Sequence, residues 1–319
     1  MATRVAVIGA GMAGLAAARR LAAAGVEPTV FDKSRGLGGR MATRRVDDLQ
    51  FDHGAQYFTA KGPRFRALVE DWRTAGRAAE WFAGGFVGTP AMTAPARAMA
   101  DGLAVVGGCT VTGLARDAAG WTVKAPTGAV ETPGNGRFSA VVLALPAPQA
   151  GPLAASTGVS FPQLAAVRYA PCWALMLAFD APLAVGWEHL KPSDGPVAWV
   201  ARNDSKPGRS RGRETLVVHA GPDWSRHTLE GSPESIVAEL EPHWRAAAGI
   251  SATPTYAAAH RWRYALVEET AGATFLFDEA TRLGACGDWC LGPRVEAAFD
   301  SGEAMADAVL AGLEVGHAA

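Results

Sequence analysis

Cysteine is scarce, with four residues (Cys109, Cys172, Cys286 and Cys290) in 319, too few and too scattered for a disulfide framework. Cys286 and Cys290 lie four apart without histidines at metal-ligand spacing, so neither a structural disulfide nor a metal site is expected. Charge of one sign is lacking too: 30 Lys and Arg against 31 Asp and Glu leave a net charge of −1. That balance excludes bulk attraction to nucleic acid or to a membrane surface. No apolar run reaches the ~20 residues that a membrane span needs, because Arg19 and Arg20 interrupt the best candidate. The N-terminus enters an apolar run at once, with no basic n-region or cleavage site, so a cytoplasmic protein is expected.

What is present starts at Arg4. Arg4 to Ile8 (RVAVI) is a short β-branched run that predicts a buried strand. Gly9, Gly11 and Gly14 follow as G-x-G-x-x-G, then an Ala/Leu-rich helical segment through Ala24, a stop at Gly25, and a second strand from Pro28 to Phe31 that ends at Asp32. The spacing predicts a βαβ dinucleotide site. Gly9 allows the tight turn, Gly11 lets backbone approach a pyrophosphate, and Gly14 lets helix and strand pack closely. The helix N-terminus offers free N–H groups to phosphate, and Asp32 is placed to accept from a ribose diol. An acid there favours FAD or NAD over a 2′-phosphorylated cofactor. A second glycine-rich stretch, Gly38-Gly39-Arg40, then Met41, Thr43, Arg44 and Arg45, predicts a loop that folds back and brings guanidinium charge to the phosphates.

The string GAGMAGL…FDKSRGLGGRM…FDHGAQYFT resembles the FAD-dependent amine oxidase superfamily, and within it the renalase branch. The resemblance runs nearly the length of the chain, strongest at both ends and weakest between Gly151 and Ala258. It implies FAD, with cofactor contacts at Gly9, Gly11, Met12, Ala13, Gly14, Asp32, Lys33, Gly39, Arg40 and Met41. It implies a backbone contact from Val111 to the adenine. Near the C-terminus, Gly287-Asp288 followed by a helix from Val295 through Leu313 resembles the superfamily's second FAD motif. By that likeness Gly287 and Asp288 serve the ribityl or pyrophosphate region, and Val295, Glu296 and Ala297 face the flavin pyrimidine edge, where a helix N-terminus meets negative charge. Relatives with covalent flavin carry a cysteine ahead of this motif. Here Ala285 stands two before Gly287 and Cys290 lies after it, so the FAD is expected to be non-covalent.

The remaining chain predicts an α/β protein: a Rossmann-like FAD domain of the two-dinucleotide-binding-motif type, and a second, mainly antiparallel α+β substrate domain. The expected division is 1–62, 97–158 and 280–319 for FAD against 63–96 and 159–279 for substrate. Helices are expected over Gly62 to Ala79, Ala96 to Leu103 and Pro233 to Gly249, the last with Ser232 as N-cap. Trp81 to Pro95 reads as irregular, and Leu103 to Val106, Cys109 to Leu114, Phe138 to Leu145, Cys172 to Asp180, Val197 to Arg202, Thr215 to Ala220 and Thr281 to Cys286 read as strands. Trp121 to Ala125 with Val130 to Thr132 reads as a hairpin, and the basic loop Lys206 to Arg213 as a solvated tip.

Five residues are cavity candidates. Gln56 and Tyr57 qualify through the resemblance, because the stretch around His53 passes the flavin in relatives. In His260-Arg261-Trp262-Arg263-Tyr264-Ala265, a strand sends Trp262 and Tyr264 to one face and Arg261 and Arg263 to the other. Renalase-like sequences carry such an R-W-R-Y-A segment near the flavin. Trp289 completes the set. The expected activity is oxidation of isomeric (2- or 6-) dihydro-NAD(P), with hydride passing to flavin N5 and electrons to O2, giving H2O2. No catalytic acid–base dyad is evident in the sequence, as suits a donor ring that aromatises on losing hydride. The alternative is a flavin amine oxidase or desaturase acting on a small amine or apolar substrate. A non-catalytic protein of the same fold is opposed by the intact glycines, Asp32, Arg40 and Asp288.

Overall fold

The structure, a computed structural model, describes residues 3–126, 128–129, 136–210 and 212–315. Its first layer is a six-stranded sheet in the order Leu276–Asp278, Leu283–Ala285, Ala140–Leu143, Arg4–Ile8, Glu27–Phe31, Ala104–Val106. All pairings are parallel except that of the edge strand Leu276–Asp278. The central strands bury side chains on both faces, and for this reason they read as continuous β-branched runs rather than alternating ones. Helix Met12–Ala23 packs across the sheet against the C-terminal helix Val295–Val315. Gly302 is where they cross: a Cβ there would run into the backbone of Ala13. The opposite face of the six-stranded sheet is covered by a small antiparallel sheet, Gly113–Asp117, Gly120–Ala125 and Gly128–Ala129, through Leu114, Trp121 and Val123. The expected return strand Val130 to Thr132 falls outside the described residues.

The other large unit is a five-stranded antiparallel sheet, ordered His189–Leu190, Val197–Arg202, Glu214–Ala220, Arg168–Phe179, Tyr256–Glu269. One face carries Trp173, Leu175, Leu177, Leu216 and Val218 and is covered by helix Pro233–Ala248 through Ile236, Leu240 and Trp244. That helix forms as its sequence predicts. The Ser232 hydroxyl accepts the Ser235 N–H at 3.1 Å, Pro233 stands in the first turn, and Gly249 adopts the left-handed conformation that ends it, at φ 68°. The opposite sheet face looks toward residues 49–58.

Several boundaries differ from expectation. The helix predicted to Ala79 ends at Thr74, because Gly76 turns the chain at φ +67° and Ala78–Phe82 then pairs with Gly85–Gly88. This hairpin sits inside the stretch expected to be irregular, and Phe86 bridges back to Phe58. The strand expected from Cys109 starts only at Gly113, since residues 108 and 109 donate their amides to Ser34 and Asp32 instead. The helix expected over Ala96 to Leu103 is Ala94–Ala100. Leu276–Asp278 belongs to the six-stranded sheet, although it precedes the division expected at residue 280.

Candidate active site

The first βαβ unit forms a cradle whose shape depends on missing side chains. Gly9 stands at φ +113°, and a Cβ on it would collide with the Ala144 carbonyl; one on Gly14 would collide with the Gly9 carbonyl. A Cβ on Gly11 would meet nothing within 4 Å, so the backbone is open just where helix Met12–Ala23 presents its first, unpaired N–H groups. Met12, Ala13 and Met41 are buried beneath this turn and Lys33 is exposed beside it. Asp32 accepts the Ala10 N–H on one oxygen and the Ser34 N–H on the other, both at 2.7 Å. Each oxygen keeps a second lone pair for a ribose hydroxyl. Half-buried Val111 lies just past Cys109, whose amide donates to the Asp32 carbonyl at 2.8 Å.

The loop through Gly38 and Gly39 folds back over the helix start, with the Gly38 N–H on the Ala10 carbonyl at 2.9 Å. It delivers Arg40 to Asp288 as a two-pronged ion pair of 2.8 and 2.6 Å, and the guanidinium also donates to the Ala265 carbonyl at 3.2 Å. Two sequence motifs nearly 250 residues apart thus meet side chain to side chain, at Gly287-Asp288 and Arg40. Helix Val295–Val315 begins next to them. Its Glu296 carboxylate is buried, accepting the amides of Lys61 and Gly62 on one oxygen while the other has no partner. The open glycine cradle, the lone pairs of Asp32 and the helix starts behind Val295, Glu296 and Ala297 all fit FAD. Trp289 does not serve as a cavity wall. It is buried at 1% exposure on the far side of the motif, its indole N–H on the Leu145 carbonyl at 3.0 Å.

The remaining candidates gather on the free face of the five-stranded sheet. Trp199, His219, Ala174 and His260 stand side by side across four strands, and Trp262 follows His260 on the same face. The segment 53–57 lies across this row. The His53 ring stacks on Trp262 at 5.1 Å and meets His260 edge-on at 4.7 Å, Gln56 approaches His219 at 3.3 Å, and Tyr57 lies 5.6 Å from Trp199. The Trp262 indole donates to the His53 carbonyl at 2.9 Å. Tyr264 packs on Tyr169 at 5.4 Å, toward the Arg40–Asp288 end. Arg261 and Arg263 point away and share Glu230, as alternation requires. Tyr57, 37% exposed, closes a ring of aromatic contacts with Phe82, His189 and Trp199.

Beneath this segment lies a buried charge network that no sequence signal announced. The loop expected as a solvated tip turns inward: Arg209 grips Asp52 through Nε at 3.1 Å and through Nη2, and Lys206 reaches Asp52 at 3.5 Å and Gln56 Oε1 at 3.1 Å. Burial alone would raise the Asp52 carboxyl, but Lys206, Arg209 and the Thr43 hydroxyl outweigh it and hold the group down to about 2. Lys206 shares that one carboxylate with a closer cation, so burial prevails and lowers it to about 8. His53 and His219 are both pushed down to about 4, chiefly by burial, and His260 is lowered for the same reason. The imidazoles of His53, His219 and His260 on this sheet face are therefore neutral near pH 7.

Residues 70–310 match the family described as flavin containing amine oxidoreductase, and residues 7–72 match an NAD(P)-binding Rossmann-like domain. Over 77 residues the chain is 40% identical to 4,4'-diapophytoene desaturase of Staphylococcus aureus, and over 76 residues 52% identical to that of Staphylococcus haemolyticus. These alignments involve 21% of this chain, which covers 15% of the length of each desaturase. Among solved structures, a candidate protoporphyrinogen oxidase from Exiguobacterium sp. 255-15 superposes with a TM-score of 0.78 at 13% identity, over 98% of this chain and 99% of that one. Cyclohexylamine oxidase from Brevibacterium oxydans IH-35A gives 0.72 at 14%, over 98% and 100%. At such identities the superpositions speak for the fold. Among the described residues, no helix is long and apolar enough to cross a membrane.

Proposed function

The chain belongs to the flavin-containing amine oxidoreductase family, and we propose that within it this FAD-dependent oxidoreductase oxidises isomeric dihydronicotinamides. FAD, when bound, would supply the hydride acceptor, with O2 as the final electron acceptor. Residues Gly9 to Gly14, Asp32, Arg40 and Asp288 would hold it, without a covalent link. The chain's own contribution is positioning and electrostatics rather than proton transfer. Trp262, stacked on one face by the His53 ring, would present its other face, at a tilt fixed by the indole bond to the His53 carbonyl.

The observation that carries the reading is the neutrality of the sheet face beside Trp262. His53, His219 and His260 are uncharged there at neutral pH, and the carboxylate buried beneath the segment, Asp52, is engaged by Arg209 and Lys206. An alkylammonium would find no counter-charge there, whereas a neutral dihydropyridine ring gains stacking of roughly 0.5–1.5 kcal/mol beyond its area burial. A second reading, oxidation of a small amine, draws on the aromatic ring of Tyr57, Phe82, His189 and Trp199, faces that attract a cation. Four unpaired cysteines agree with a cytoplasmic setting. Anaerobic mixing with NADH, with its 2- and 6-dihydro isomers and with a panel of amines decides between the two. Fast flavin bleaching is expected from a dihydro isomer, and faster bleaching by an amine overturns the first reading in favour of the second.

A further inference from the structure

His219 stands in the middle of the row on the free sheet face, between Trp199 and Ala174. Its protonation pattern follows from its neighbours. The Gln56 amide nitrogen has two N–H groups, and both are engaged, on the Asp52 carbonyl at 2.6 Å and the Gly54 carbonyl at 2.9 Å. The amide orientation is set from the other end too, since Gln56 Oε1 accepts from the Lys206 ammonium. Gln56 therefore has no N–H left for His219. His219 Nε2 instead faces the His53 carbonyl at 3.1 Å, a pure acceptor, so the proton of the neutral ring sits on Nε2. The carbonyl takes that N–H and the Trp262 indole N–H on its two lone pairs.

The tautomer leaves Nδ1 as a lone pair. It has no partner in the protein and is not among the sealed, unpartnered nitrogens, and His219 itself is half-buried. The neighbouring methyl of Ala174 takes up little of the space between His219 and His260. With its proton fixed on Nε2 and its ring kept neutral by burial and by Lys206, the nitrogen can accept a hydrogen bond but is too weak a base to deprotonate an alkylammonium.

We propose that His219 Nδ1 accepts the carboxamide N–H of a dihydronicotinamide bound against Trp262, and so sets the ring's rotation about its stacking axis. This rests on the dihydronicotinamide reading above. No bond is made or broken at His219; it selects and orients.

The test pairs two substrates with two variants of the FAD-loaded enzyme, followed by anaerobic flavin bleaching. The substrates are the reactive dihydro-NAD isomer and the same compound with its ring carboxamide replaced by acetyl, which has no N–H. One neutral hydrogen bond gives the wild type a preference of roughly 3- to 10-fold for the carboxamide. His219→Gln keeps a side-chain N–H for the His53 carbonyl but loses the Nδ1 acceptor, so its preference is expected to fall to near unity with flavin retained. His219→Asn carries an acceptor at the Nδ1 position without the bond to His53, and is expected to retain most of the preference, whatever its absolute rate. A wild-type preference in the Gln variant overturns the assignment, as does its loss in the Asn variant, which would mark a purely structural role. If the wild type is bleached by no dihydronicotinamide at all, the substrate reading itself fails, and the proposal falls with it.

Discussion

Replacing Asp52 by asparagine keeps the shape of the side chain and removes its charge from beneath the cavity segment. The carboxylate is completely buried, accepts from Thr43, the Met92 amide and Arg209, and faces Lys206 at 3.5 Å. Without it two buried cations face each other uncompensated, a situation that costs about 3–5 kcal/mol. Lys206→Met is the informative partner. It strands only Gln56 Oε1, at a cost of about 1–3 kcal/mol, and it relieves an ammonium that burial already disfavours. Asp52→Asn is therefore expected to be the more destabilising of the two, by about 2 kcal/mol. Urea unfolding of the FAD-loaded proteins, read by far-ultraviolet circular dichroism, measures both. The pH dependence adds a second check. The Asp52 carboxyl falls from 3.8 to about 2 on folding, so it contributes stability above pH ~4 that is lost as pH falls through ~2, in total about 2.5 kcal/mol. The gap between wild type and Asp52→Asn should narrow over that window. An asparagine variant within 0.5 kcal/mol of wild type, or a Lys206→Met that is the worse of the two, would refute the reasoning.

His53 and His219 are lowered from 6.5 to about 4, so the unfolded chain binds protons that the folded one does not. Stability present above pH ~6.5 should decline as pH falls toward 4, and more shallowly in His219→Gln; equal slopes in urea titrations at several pH values would count against buried neutral imidazoles. Asp32→Ala removes the ribose acceptor and two turn bonds of 2.7 Å, and FAD occupancy after dilution is expected to drop at least tenfold, with unchanged occupancy refuting the ribose role. Gly302→Leu drives a side chain into the Ala13 backbone, so the melting temperature and flavin retention should fall together in a thermal scan that follows flavin release. Trp262→Ala should slow flavin reduction by a dihydronicotinamide with FAD still bound, while Arg261→Ala, on the exposed side with Glu230, should not; rapid mixing of the two variants separates these outcomes.

The cofactor half was legible because its signals are local. Glycines that cannot bear a Cβ, an acid at a strand end and a helix start all lie within a few residues of one another, and backbone geometry forces each choice. Alternation likewise sorted Trp262 from Arg261 and Arg263 without any tertiary information. What escaped was set by distant partners. Lys206 and Arg209 look like any polar loop until Asp52, more than 150 residues away, is brought beneath them. His219 lies in a strand whose face is decided by its pairing to Arg168–Phe179, and nothing in its own neighbourhood marks it. Trp289 misled for the opposite reason. It adjoins a functional motif in sequence, but the turn at Gly287-Asp288 sends its ring into the core.

These long-range pairings also explain why so much charge is buried beneath residues 52–56. An apolar replacement for Asp52, Lys206 and Arg209 would serve stability about as well, but it would leave residues 52–56 held only by packing. The network instead ties that segment at both ends: Asp52 to Arg209, and the Gln56 amide to Lys206 on one side and to two backbone carbonyls on the other. Between them the His53 carbonyl is pinned by His219 and Trp262. A shift at Asp52 would therefore reach the indole through hydrogen bonds alone, without passing through loosely packed side chains. On this argument the buried ions set the tilt of Trp262 and the tautomer of His219 together, two features that stacking and carboxamide recognition each require.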